Sequence, residues 1–94
     1  MLSGILRKAT QGKGNFGIGM ATREQANALG KAWVGNNYRI SGDGRFWISS
    51  NGRRQYRPPS MKGKLGKVQA NFEGRFENQT WSNWPSNGHL DILD

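Results

Sequence analysis

Val68-Gln69-Ala70-Asn71-Phe72-Glu73 alternates apolar and polar side chains without a break. Side chains along a β-strand point to opposite faces with a period of two. Val68, Ala70 and Phe72 therefore share one face, and Gln69, Asn71 and Glu73 the other. His89-Leu90-Asp91-Ile92 repeats the pattern near the C-terminus, with Leu90 and Ile92 inward and His89 and Asp91 outward. A sheet covered on one side only is the expected setting for such strands.

Working back along the chain, Tyr38 and Ile40 alternate, Gly42-Asp43-Gly44 turns, and Phe46-Trp47-Ile48-Ser49 returns. Asn51-Gly52 is a strong hairpin signal, and Arg53-Arg54-Gln55-Tyr56-Arg57 follows as a strand ended by Pro58-Pro59. Residues 60–67 read as a basic loop. Gly74 is read as a bulge before Phe76, and residues 77–88 as turn-rich, with Trp81 and Trp84 packing rather than offering platforms to bases.

Upstream, Thr22-Arg23-Glu24-Gln25 has the form of a capping box. Ala26, Leu29 and Trp33 follow at helical spacing, and Gly35 is placed to stop the helix. Gly30 weakens a helix by up to ~1 kcal/mol relative to Ala, which implies close packing there. Gln11–Gly19 is glycine-rich and reads as a structural loop, since it has neither the P-loop nor the dinucleotide spacing. Residues 1–11 read as a lead-in from a larger parent protein. The fold expected is α+β: an N-terminal helix packed on a twisted antiparallel sheet of about five short strands joined as a meander.

The chain has 94 residues, a net charge of +8 and no cysteine. That length supports one domain with one modest core. Ten aromatic residues argue for a folded chain despite only seventeen Leu, Ile, Val and Phe residues. Without cysteine there are no disulfides, thiolate zinc sites or cysteine nucleophiles, and a single histidine removes multi-histidine metal centres. No apolar run is long enough to span a membrane, and Met1–Lys8 is too short and polar for a signal peptide.

Charge is unevenly placed. Residues 39–67 carry eight basic side chains against Asp43, a net of +7, whereas residues 73–94 carry Glu73, Glu77, Asp91 and Asp94 against Arg75. Tyr38, Phe46, Trp47 and Tyr56 are interleaved with the basic residues, a composition suited to nucleic acid, in which bases stack on rings and cations take phosphates. Lys13, Arg53, Arg54, Lys62, Lys64 and Lys67 are the candidate RNA-binding residues.

The strand parity puts His89 and Asp91 on the same polar face as Glu73. Either Arg54 and Tyr56 or Arg53, Gln55 and Arg57 join them. One imidazole, carboxylates and guanidinium groups suffice for metal-independent RNA cleavage: a base draws the 2′-OH proton, an acid protonates the departing 5′-oxygen, and cations stabilise the phosphorane. The candidate catalytic set is His89, Glu73, Arg57, Tyr56 and Asp91. His89 is expected to act as the acid, with its pKa raised by neighbouring carboxylates above about 6.5. Glu73 or Asp91 is expected to be the base or the group that orients the imidazole. A non-catalytic RNA- or DNA-binding module and a metal-dependent DNase are the competing readings.

Several segments carry a resemblance. Gly12-Lys13-Gly14-Asn15-Phe16-Gly17, Ala21-Thr22-Arg23-Glu24, Gly30-Lys31-Ala32-Trp33-Val34-Gly35, Arg54-Gln55-Tyr56-Arg57-Pro58-Pro59-Ser60, Leu65–Glu73 and Asn87-Gly88-His89-Leu90-Asp91-Ile92 resemble the C-terminal toxin domains of bacterial polymorphic toxins. These are the variable tips of filamentous haemagglutinin-like, contact-dependent growth inhibition proteins. The resemblance implies a monomeric antibacterial toxin at the tip of a secreted or cell-surface effector, acting in the target-cell cytoplasm. It also implies an RNase of the barnase/EndoU/colicin/RelE type, with tRNA as the expected substrate and a cognate acidic immunity protein as partner. Catalytic residues vary among such toxins, so only His89 is carried over, with Glu73, Arg57 and Tyr56 as weaker candidates. No cofactor or metal is expected.

Overall fold

The computed structural model describes residues 2–75 and 84–94. Phe76, Glu77 and Trp81 lie outside the described residues, so the readings of a bulge before Phe76 and of Trp81 as a packing residue do too. Two helices and six strands are present among the described residues: α1 (Leu2–Gln11), β1 (Gly14–Ala21), α2 (Arg23–Val34), β2 (Arg39–Ile40), β3 (Trp47–Ile48), β4 (Arg54–Lys62), β5 (Lys67–Gly74) and β6 (Ser86–Ile92). They form an α+β domain.

Local chemistry sets α2. Thr22 Oγ1 accepts from the Gln25 amide at 3.1 Å, and Gln25 Oε1 accepts from the Thr22 amide at 3.0 Å, closing the capping box. Ala26, Leu29, Gly30, Trp33 and Val34 form its buried stripe. Gly35, at φ 75°, ends it, in backbone territory that favours glycine.

The strands form one mixed sheet in the order β1-β6-β5-β4-β3-β2. β1 runs parallel to β6, and every other pair is antiparallel. Both helices pack on one side, over Tyr56, Ala70, Phe72 and Leu90, all fully buried. The other side of the sheet carries polar side chains.

Residues 2–11, whose order the sequence leaves open, form a helix, with Ile5 and Ala9 buried against the core. Three expectations are corrected. The glycine-rich segment is an edge strand, because β6, more than seventy residues downstream, supplies its hydrogen bonds. The sheet therefore has six strands and is mixed, since a parallel pair needs a long crossover and cannot arise in a meander. Pro58-Pro59 does not end β4, and the basic loop shrinks to a turn at residues 63–66. Along β4, β3 pairs only with Gln55 and Tyr56, so beyond Tyr56 one edge of β4 faces no described strand, and the β5 ladder skips the prolines by a register shift between Arg57 and Ser60. Proline is tolerated at such an edge or bulge.

Of the interleaved aromatics, Tyr56 is fully buried, and Tyr38 and Trp47 pack against the core. Tyr38 stacks on Trp47 at 5.4 Å, and Tyr56 meets Trp47 at 5.0 Å and Phe72 at 4.9 Å. Phe72 meets Trp33 edge-on at 6.0 Å. Gly30 lies directly over Tyr56, and a Cβ there would overlap the phenol ring.

Gly30→Ala is accordingly expected to destabilise the domain. Overpacking costs about 1–3 kcal/mol, against a helix-propensity gain of up to ~1 kcal/mol. Chemical denaturation should show a lower midpoint; an unchanged or raised midpoint would refute the close approach.

Candidate active site on the polar face of the sheet

Strand register arranges the polar face in rows. Arg57, Asn71, His89 and Gly17 are successive neighbours across β4, β5, β6 and β1. Gln55, Glu73, Asn87 and Asn15 form the row on one side, and Ser60, Gln69, Asp91 and Met20 the row on the other. Neighbouring strands lie about 4.8 Å apart, so Arg57 and His89 flank one narrow strip.

The centre of this face is buried. Glu73 is 5% exposed, Gln69 5% and Asn71 1%. Glu73 accepts from Gln55 Nε2 at 2.8 Å and pairs with Arg57 Nε at 2.9 Å. The carboxylate thus holds the guanidinium in place.

A second line of contacts runs through His89. Lys67 Nζ lies 3.4 Å from Asp91 Oδ2, Gln69 Nε2 donates to Asp91 Oδ1 at 2.7 Å, and Gln69 Oε1 lies 3.2 Å from His89 Nδ1. An ionised carboxylate only accepts, which fixes which end of the Gln69 amide faces Asp91. The amide oxygen then faces the imidazole, so in the neutral ring a proton on Nδ1 is satisfied and Nε2 is the acceptor. In that tautomer Nε2 makes no hydrogen bond with Asn15 Oδ1, 3.4 Å away, which accepts from Asn87 Nδ2 at 3.1 Å.

The electrostatics follow from these neighbours. The Gln69 hydrogen bond, with Lys67 and His89, holds the Asp91 carboxyl below its ordinary pKa. Burial, then Lys62 and Arg57, lower the His89 pKa below about 6.5, outweighing Glu73 and Asp91. This corrects the expectation of a raised value: the Gln69 amide separates the imidazole from Asp91, while two cations face it. Burial and Arg57 likewise lower the Lys62 pKa.

His89, Asp91, Glu73 and Arg57 therefore share one face, with Lys62 and Lys67 at its border. Lys64 is exposed in the adjoining turn. Tyr56 lies on the opposite face, fully buried, with its hydroxyl donating to Asn27 Oδ1 at 2.8 Å and its pKa raised by burial. A phenol so placed reaches no substrate on the His89 side. Arg54 also lies on the helix side, its guanidinium 4.2 Å above the Trp33 ring. Lys13, Arg53 and Arg54 line a separate cavity of about 770 Å³ beside α1 and the end of α2. Trp84, at its border, packs against the Arg75 guanidinium at 4.1 Å.

Sequence reasoning put Gln69 and Asn71 on the correct face without assigning them work. It missed Asn15 and Asn87, since only the β1–β6 pairing brings Asn15 beside His89. Among the described residues, no group of three or more His, Asp or Glu side chains is placed to hold a metal ion. No described helix is long and apolar enough to cross a membrane. No protein-family model, curated protein or solved structure matches the chain.

The histidine titration checks these electrostatics. By NMR, His89 should titrate below about 6.5, and Lys62→Ala should move the midpoint upward. The depressed folded-state pKa means that the unfolded chain takes up the proton first as pH falls. This contribution to stability is complete above the unfolded pKa and is lost as pH falls through the folded one. A midpoint above the ordinary value would refute it.

Proposed function

We propose that this is an antibacterial toxin domain with metal-independent endoribonuclease activity, acting on tRNA and neutralised by a cognate acidic immunity protein. One observation carries the enzymatic part: Gln69, itself held by Asp91, orients the His89 imidazole on the face that carries the Arg57 guanidinium held by Glu73, where burial and cations lower the histidine pKa. The substrate class, the delivery from the tip of a larger surface effector and the barnase/EndoU/colicin/RelE-like fold rest on the segment resemblances. Two helices on one side of a sheet with a polar opposite face support that reading of the fold, and the parallel β1–β6 pair departs from the antiparallel sheet it implies.

In this reading His89 is the base and not the acid. Nε2 accepts the ribose 2′-OH proton, O2′ forms a bond to the adjacent phosphorus, and the bond from phosphorus to O5′ breaks. The Lys62 ammonium, made more acidic by burial and by Arg57, gives O5′ its proton. Arg57, held by Glu73, stabilises the added phosphorane charge. The products are a 2′,3′-cyclic phosphate and a 5′-OH end. An acidic partner seated over Arg57, Lys62 and Lys67 would block this face and complement its charge.

Incubation of tRNA with the domain in EDTA should yield these ends. His89→Ala should lower the rate by ~10²–10⁴ while salt-dependent RNA binding and the fold remain. Gln69→Glu would put a carboxylate against Nδ1, raise the His89 pKa and move the acidic limb of the rate profile to higher pH. Retained cleavage in His89→Ala would remove the imidazole from the mechanism. Binding without cleavage by the wild-type domain would instead favour a nucleic-acid-binding module.

A further inference from the structure

Across the row through His89, β4, β5 and β6 contribute Arg57, Asn71 and the imidazole, but β1 contributes Gly17. A Cβ at Gly17 would meet nothing within 4 Å. Two residues further, Gly19 at φ 129° lies at the register shift that displaces β1 against β6. The polar face is hollowed here into a depression of about 410 Å³ reaching His89, Gln69, Asp91 and Lys67. That volume falls in the ~300–1,000 Å³ range of small-molecule sites.

The surroundings suit a planar heterocycle. The floor at Gly17 is bare backbone, against which a flat ring can lie without meeting a side chain. The Met20 thioether, 63% exposed, stands at its rim, within reach of a ring lying there. Such a soft, adaptable side chain makes favourable contacts with aromatic faces. The Asn15 amide nitrogen donates to no described residue, and side-chain amides read base edges. Lys67, with its side chain 51% exposed, supplies positive charge at one lip.

We propose that this depression is a nucleobase subsite, holding the base of a nucleotide next to the phosphate at His89, and that the missing side chain at Gly17 keeps it open. The position of that phosphate rests on the ribonuclease reading; the affinity for a base does not.

The test titrates isotopically labelled protein with the four nucleoside 3′-monophosphates and, as a base-free probe, ribose 5-phosphate. At least one nucleotide should bind ten-fold or more tightly than ribose 5-phosphate and shift the Gly17, Gly19 and Gln69 amide resonances. Gly17 has no positive φ, and valine suits a strand, so Gly17→Val should fill the depression and erase the margin. Met20→Ala, which leaves the strand backbone untouched, should reduce it. Equal binding of nucleotides and ribose 5-phosphate, or an unaltered margin in both variants, would overturn the subsite, even if RNA cleavage depends on His89. A base-dependent margin lost in Gly17→Val would uphold it, even if the wild-type domain cleaves no RNA.

Discussion

The seating of α2 on the centre of the sheet governs both layers of the molecule. Gly30 lets the helix backbone descend onto the Tyr56 ring, and Trp33 Nε1 donates to the main-chain oxygens of Gln55 at 3.2 Å and Glu73 at 3.1 Å. Those two residues are direct partners across β4 and β5. Their backbones are thus tied to the helix while their side chains meet on the opposite face around Arg57. A contact in the core in this way positions the carboxylate that holds the guanidinium.

The polar face also shows how a small sheet can carry charge at a partly buried centre. Removing a charge from water is costly unless it is paired and hydrogen-bonded. Glu73 meets that requirement with Gln55 and Arg57, and Asp91 with Gln69 and Lys67. Between these pairs lies His89, bounded by the amides of Gln69 and Asn15 rather than by carboxylates. Neutral spacers orient the ring without stabilising its charged form as strongly as a direct ion pair would. Burial, with Lys62 and Arg57, disfavours the charged ring, and the outcome is an imidazole that gives up its proton more readily than a free one.

Much of this is legible in the sequence. The capping box at Thr22, the helical stripe from Ala26 to Trp33, and the facing of Val68, Ala70, Phe72, Leu90 and Ile92 away from Glu73, His89 and Asp91 all follow from repeats a few residues long. Backbone geometry sets those repeats at 3.6 and two residues, whatever the rest of the chain does. The α+β class and the grouping of imidazole with carboxylates were therefore written locally. The tertiary structure decided what depended on distant partners. Pairing with β6 turned a glycine-rich segment into a strand and brought Asn15 and Gly17 beside His89. Contact with Gly30 and Phe72 drew Tyr56 inward and left Arg57 on the polar face. Burial, and two of the cations that mark the sequence as basic, lower the pKa of His89 only because folding brings them to bear on it. Which residues alternate is a property of the strand, but which strand lies alongside, and what then surrounds a titratable ring, is settled by burial across the whole fold.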